Sequence, residues 1–289
     1  MLLIFLVLSL AAAGCENRYA QPTDSAAEVK TVTLSPTLEE TAPPTRRPTP
    51  TALPTKTLTP VVSGVLDPHH GVEFPNAYGT PVRAAADGDV VFAGKDDLSL
   101  LGPYTGFYGN VVILRHPKFF QGRDLFSLYA HLSELGVEEG DFLSAGQVLG
   151  KVGASGAADG SHLHFEIRLD ENDYGQTVNP VLWFTPTADQ NGNQSAVLAG
   201  QILDAYGLPL SEFDFVLERR VEGDSEVEKY YPVTYVGYGV NAHPLLNENF
   251  VLPDIPPGEY RLAFISGRFY DFEFKLNSGA LGFIKIQLD

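Results

Sequence analysis

His162-Leu163-His164-Phe165-Glu166-Ile167-Arg168 reads as a β-strand with a reactive face. Residues two apart on a strand project to the same side, so His162 and His164 point one way and Glu166 lies on that face with them. A neutral imidazole is a good zinc ligand, and a neighbouring histidine that stays off the metal can hydrogen-bond a water there. Alone, a His-x-His pair is weak evidence and reads better as a surface-strand pair. Two distant companions change the balance: His69-His70-Gly71-Val72-Glu73 upstream, and Tyr129-Ala130-His131 between the two.

Outward from this strand, residues 64 to about 186 alternate short β-rich runs with Gly-rich turns. The runs are Pro81–Ala84, Gly88–Gly94, Asn110–His116, Leu125–His131, Gln147–Gly153 and His162–Arg168. No long helical period interrupts them. Strands of this length and spacing predict an antiparallel sheet, with loops such as Asp96–Gly109 near its edge.

The ordered set His69-x-Gly-x-Glu73, Gly79-Thr-Pro-Val-Arg-Ala-Ala-Ala-Asp-Gly88, Tyr129-Ala-His-Leu132, Gly140-Asp141, Gly146-Gln147, Gly150 and His162-Leu-His-Phe-Glu166 resembles the LytM, or lysostaphin-type (M23 family), zinc metalloendopeptidases. The resemblance runs from about Asp67 to Trp183. It implies Zn2+ as cofactor, with His69, Glu73 and His164 as metal ligands and His131 and His162 as catalytic histidines. Three protein ligands leave a fourth zinc position open, where water is activated for attack on a peptide bond. The substrate implied is the peptide cross-link of bacterial peptidoglycan. The family normally carries Asp where this chain has Glu73; carboxylate chemistry is kept, one methylene further out. Some relatives have lost their ligands, so the alternative is a catalytically inactive LytM-like binding module that recruits or activates another cell-wall hydrolase.

Three further histidines stay out of the set. His70 diverges from His69 in an extended segment and reads as a non-ligand, His116 ends a strand at Arg115-His116-Pro117 and reads as structural ahead of lining the groove, and His243, far downstream, reads as incidental. Glu166 is placed to orient an imidazole rather than to catalyse.

Residues 1–15 are an apolar run closed by Ala12-Ala13-Gly14-Cys15, with the length of an export signal core. The ending resembles the lipobox of bacterial lipoproteins, with Ala12 where a larger aliphatic residue is usual. Cys15 is the only cysteine of the chain, which excludes an internal disulfide and a cysteine-rich metal site. The expectation is an envelope protein anchored to the membrane through lipid on Cys15; an ordinary cleaved signal is the other reading. Residues 16–62, rich in Pro and Thr, read as a disordered, semi-rigid stalk. The LytM-like domain is expected over 63–186 and a polar linker over 187–195.

From 196 to 289 seven candidate strands with turn signals predict a small β-sandwich. They are Val197–Asp204, Asp214–Arg219, Tyr230–Tyr235, Phe250–Pro253, Gly258–Ile265, Phe269–Leu276 and Gly282–Leu288. Gly200–Pro209 and Asn249–Tyr260 resemble the carboxypeptidase regulatory-like, transthyretin-like sandwich. That implies a non-catalytic module; since it shows no cluster of reactive groups, it reads as positioning on a wall polymer or protein partner, or equally as purely stabilising. The fold class is therefore mainly β throughout. A formal net charge of −17 over 289 residues argues against nucleic acid as a partner, because phosphate-backbone affinity comes largely from Lys and Arg.

Overall fold

A computed structural model of the chain describes residues 28–32 (backbone only), 70–188, 192, 194–220, 227–237 and 239–289. The signal segment with Cys15, most of the stalk, His69 and part of the 187–195 linker lie outside the described residues. Among those described there is no α-helix. In chain order the strands are β1 (Glu28–Val32), β2 (Val72–Pro75), β3 (Pro81–Arg83), β4 (Gly88–Lys95), β5 (Asn110–Phe120), β6 (Arg123–Ala130), β7 (Leu132–Leu135), β8 (Phe142–Leu143) and β9 (Val148–Val152). They continue as β10 (His162–Leu169), β11 (Thr177–Val178), β12 (Ala196–Leu203), β13 (Val216–Arg220), β14 (Val227–Tyr230), β15 (Phe250–Ile255), β16 (Gly258–Ser266), β17 (Arg268–Leu276) and β18 (Leu281–Gln287).

The N-terminal domain is an antiparallel sheet in the order β11-β10-β6-β5-β4-β8, flanked by a three-stranded sheet β3-β9-β7. One edge of β10 pairs with β6 along most of its length. The other edge is divided: β2 pairs with its first half, from His162 opposite Pro75 to Phe165 opposite Val72, and β11 with Ile167 and Arg168. Alternation along β10 then does the sorting. Phe165, Ile167 and Leu169 enter a core with Val72, Val112, Leu114, Tyr129 and Leu149. His164, Glu166 and Arg168 face the other way, and all three are buried there.

What covers them is the 96–109 loop, which lies across this polar row rather than only at the sheet edge. The buried Asp96 carboxylate accepts hydrogen bonds from the main-chain N–H groups of Tyr108 and Gly109, pinning the end of the loop. Tyr108 then packs with Val111, Ile113, Leu128 and Ala130 as a second small core.

The C-terminal residues form two four-stranded sheets, β1-β18-β12-β15 and β14-β13-β16-β17. Between them Leu198, Ile202, Leu217, Phe250, Leu262, Phe274 and Ile284 make one core. Pairing is antiparallel except between β12 and β18, which run parallel. The backbone of β1, inside the segment read as stalk, pairs with β18. The strand expected over Tyr230–Tyr235 instead occupies Val227–Tyr230, because Pro232 lacks the N–H a ladder requires; beyond it only an isolated bridge, Asp214 to Val233, remains. On the outer face of β12, Val197 and Ala199 pack with Leu281 and with Leu182 of the 3-10 turn Pro180–Trp183 of the N-terminal domain.

Candidate active site

Glu73 and His164 are directly opposite one another in the β2–β10 ladder, and their side chains meet: His164 Nδ1 is 2.8 Å from Glu73 Oε1. The second carboxylate oxygen lies at ion-pair distance from the other imidazole, 2.9 Å from His162 Nε2. Pairing of the four-residue β2 with β10 thus brings three of the expected site residues to one point. His131 joins them from the end of β6, its ring 4.8 Å from that of His162 and 5.6 Å from that of His164. It has a left-handed backbone, φ 58°, a conformation uncommon for residues other than glycine and one that clusters at functional sites. Two contacts hold it: its N–H donates to the Tyr108 carbonyl at 2.9 Å, and its Nδ1 donates to the Ser155 carbonyl at 2.8 Å.

Behind His164 lies a dry polar network. His164 Nε2 is 3.0 Å from Glu166 Oε1. The hydroxyl of Tyr108 donates to the same oxygen. Arg168 donates to Glu166 Oε2 from Nε and Nη2, at 2.9 and 2.8 Å, and Nη2 also reaches the carbonyl of Leu101 and the hydroxyl of Tyr108. Burying a carboxylate alone would be very costly; three surrounding donors make this one tolerable.

The electrostatics follow from these neighbours. For His164 burial opposes the charged form, but hydrogen bonds to Glu166 and Glu73 outweigh it and raise the pKa. Burial likewise pushes Glu166 up, and the Arg168 charge with the His164 hydrogen bond brings it below the usual carboxylate range. His162 is raised, chiefly by Glu73. Burial and the neighbouring His164 lower His131 to about 4.

The donor set suits a metal. With Nε2 of His164 committed to Glu166, its Nδ1 is the atom presented beside the Glu73 carboxylate, the familiar order of carboxylate, imidazole and metal. Among the described residues no three His, Cys, Asp or Glu side chains form a metal-holding group. The third expected ligand, His69, is outside the described residues. Its neighbour His70 turns away from the cluster: it stacks on Tyr174 at 3.8 Å, and its Nδ1 donates to the Tyr174 carbonyl. His116 is buried between the Asp87 carbonyl and the Ser127 hydroxyl, a structural role. His243 packs against Trp183 and Phe120 where the two domains meet.

Tyr108, Arg168, Thr177 and Ser155 had no place in the sequence reading of the site. Arg168 was within reach, since it continues the alternate row of His162, His164 and Glu166. The others come from loops and a two-residue strand, whose contacts no spacing rule encodes.

Residues 67–180, which include the two histidines of β10 and the carboxylate of β2 set against them, match the family model Peptidase family M23. The match takes in less than half of the chain. Over 133 residues the chain is 38% identical to the DD-carboxypeptidase/endopeptidase Mpg of Neisseria meningitidis, covering 46% of this chain and 26% of the relative. It is 36% identical over 110 residues to the peptidoglycan DD-endopeptidase ShyA of Vibrio cholerae, covering 38% and 22%. The chain thus spans about a quarter of the length of these curated relatives. Among solved structures, the catalytic domain of lysostaphin from Staphylococcus simulans is 28% identical, over 45% of this chain and 89% of that one, at a TM-score of 0.36.

Proposed function

We propose that the M23 domain is a zinc-dependent endopeptidase that hydrolyses peptide cross-links of bacterial peptidoglycan. The observation that carries this reading is the convergence of His162 Nε2 and His164 Nδ1 on the two oxygens of Glu73, with His131 beside them. The names of the Neisseria and Vibrio relatives support the substrate class. Glu73 and His164, with His69, would hold the zinc. Bound there, zinc supplies a water of lowered pKa and polarises the scissile carbonyl.

The roles of the two off-metal histidines follow from their hydrogen bonds. His131 Nδ1 must carry a proton to meet the Ser155 carbonyl, so the lone pair of the neutral ring is on Nε2, where a general base needs it. His162 has Nδ1 against the Gly160 carbonyl, at 2.9 Å, and Nε2 against the Glu73 carboxylate. Both of its nitrogens face acceptors, which suits it to hold a proton for the oxyanion and the departing amine.

Purified protein should carry one zinc per chain and release muropeptides from sacculi. Release should stop on chelation, return with zinc, and fall about 100-fold or more in His131→Ala. Zinc-free protein that leaves sacculi intact yet stimulates a separate amidase would instead establish the recruiting module. We also place the protein in the cell envelope, tethered by lipid on Cys15, on the strength of the apolar run that ends there. Labelled fatty acid should enter the wild-type chain and not Cys15→Ala; equal labelling of both removes the anchor.

A further inference from the structure

We propose that Asn241, in the C-terminal domain, is a positioning residue for the metal site of the N-terminal one. β11 is a strand of two residues, too short to hold itself against β10. Its inner edge pairs Thr177 with Arg168 and Val178 with Ile167. Asn241 grips its outer side: the main-chain N–H donates to the Thr177 carbonyl at 2.8 Å, and Nδ2 donates to the same carbonyl at 2.9 Å and to that of Gly175 at 2.7 Å. A parallel bridge from Val178 to Asn241 completes the contact.

The gripped segment touches the site through Thr177. The Thr177 hydroxyl lies 2.9 Å from the Tyr174 carbonyl and 3.3 Å from Glu166 Oε2, so its proton is shared between the two. Glu166 in turn holds His164 Nε2. Tyr174 carries His70, by ring stacking and by its carbonyl, and His70 adjoins the expected ligand His69. One asparagine therefore steadies, through Thr177 and Glu166, the support of the proposed ligand His164. Groups that orient metal ligands from behind change affinity by about 10- to 100-fold. Asn241 acts one contact further out, and a smaller effect, about three- to tenfold, is expected. Other contacts, such as Asn179 Nδ2 to the Tyr235 hydroxyl at 2.8 Å, keep the domains together without it.

The zinc readout rests on the proposed function; two other readouts do not. Asn241→Asp keeps the shape but sets a carboxylate against two carbonyl oxygens. In full-length protein it should speed hydrogen exchange at the Gln176 and Thr177 amides, shift the ring 15N signals of His164, and weaken zinc binding about three- to tenfold in a competition titration. Ile286→Val, in the C-terminal core, controls for loosening of that domain alone and should leave exchange at Gln176 and Thr177 and the His164 signals unchanged. Should Asn241→Asp match wild type in exchange, ring spectrum and zinc affinity, the positioning role is overturned. It is overturned equally if Ile286→Val reproduces the Asn241→Asp changes. Should the wild-type protein bind no zinc, the zinc-peptidase reading falls, and exchange with the ring spectrum still decides the role of Asn241.

Discussion

Glu73 divides its two oxygens between two imidazoles, and that division depends on how closely β2 lies against β10. Gly71 makes the approach possible. A Cβ built there would sit 2.5 Å from His164 Cε1, 2.7 Å from its Nε2 and 2.8 Å from the Phe165 carbonyl. All are closer than real side chains tolerate, and none is the free end of a flexible chain. Gly71→Ala should therefore displace the His164 ring or part the two strands. Zinc affinity should fall more than about tenfold, with a stability loss of about 1–3 kcal/mol from overpacking, as read by metal titration and urea unfolding. Unchanged zinc binding would mean that the strands give way at no cost to the site. His162, His164 and Glu166 were legible as one row because alternation is local. Tyr108 was not: its hydroxyl reaches Glu166 across 58 residues of sequence, and nothing in the 96–109 stretch marks which aromatic turns inward.

Strands were legible where apolar alternation ran for five residues or more, as in β4, β5, β6 and β10. They were missed where the ladder itself, rather than the pattern, defines the strand. β2 has four residues and ends at Pro75, and β8 and β11 have two each. Yet β2 carries Glu73 and β11 carries Thr177. These two short strands complete the site, because each occupies half of one edge of β10 and brings a polar side chain to its buried row. The displaced β14 makes the converse point: aromatic residues from Tyr230 to Tyr235 suit a strand, and Pro232 still stops the ladder.

Where the two domains meet, a buried carboxyl and a half-buried imidazole respond to acid in opposite senses. Burial raises Glu248 to about 7, although it accepts hydrogen bonds from the His243 N–H and the Tyr235 hydroxyl. Burial, and to a lesser degree Arg123, lowers His243 to about 4. Between pH 4.5 and 7 the folded chain keeps a proton on Glu248 that the unfolded chain has released, so this group's contribution is lost as pH rises through that window. Between pH 6.5 and 4 the unfolded chain takes up a proton that His243 in the folded chain refuses, so that contribution is lost as pH falls. From pH 4.5 to 6.5 the two slopes oppose. His243→Phe keeps an aromatic ring against Trp183 and Phe120 and removes one slope. Relative to wild type, its stability should therefore rise as pH is lowered from 6.5 to 4.5, by at most about 1.4 kcal/mol per pH unit, in a series of urea unfolding curves. Parallel curves for the two proteins would show that His243 does not titrate differently on folding.

The parallel pairing of β12 with β18 bears on how the chain reaches this state. β12 is apolar on both faces and leaves the ribosome early in its domain, whereas the strand that covers one of its edges is made some eighty residues later. Until then Ala196–Leu203 has an unsatisfied edge, the kind of segment that seeks partners in other chains. Contacts between sequence-distant strands also form slowly. Nascent chains are thus most prone to aggregate in the interval between synthesis of these two strands, and a chaperone that shields the first would act in that interval.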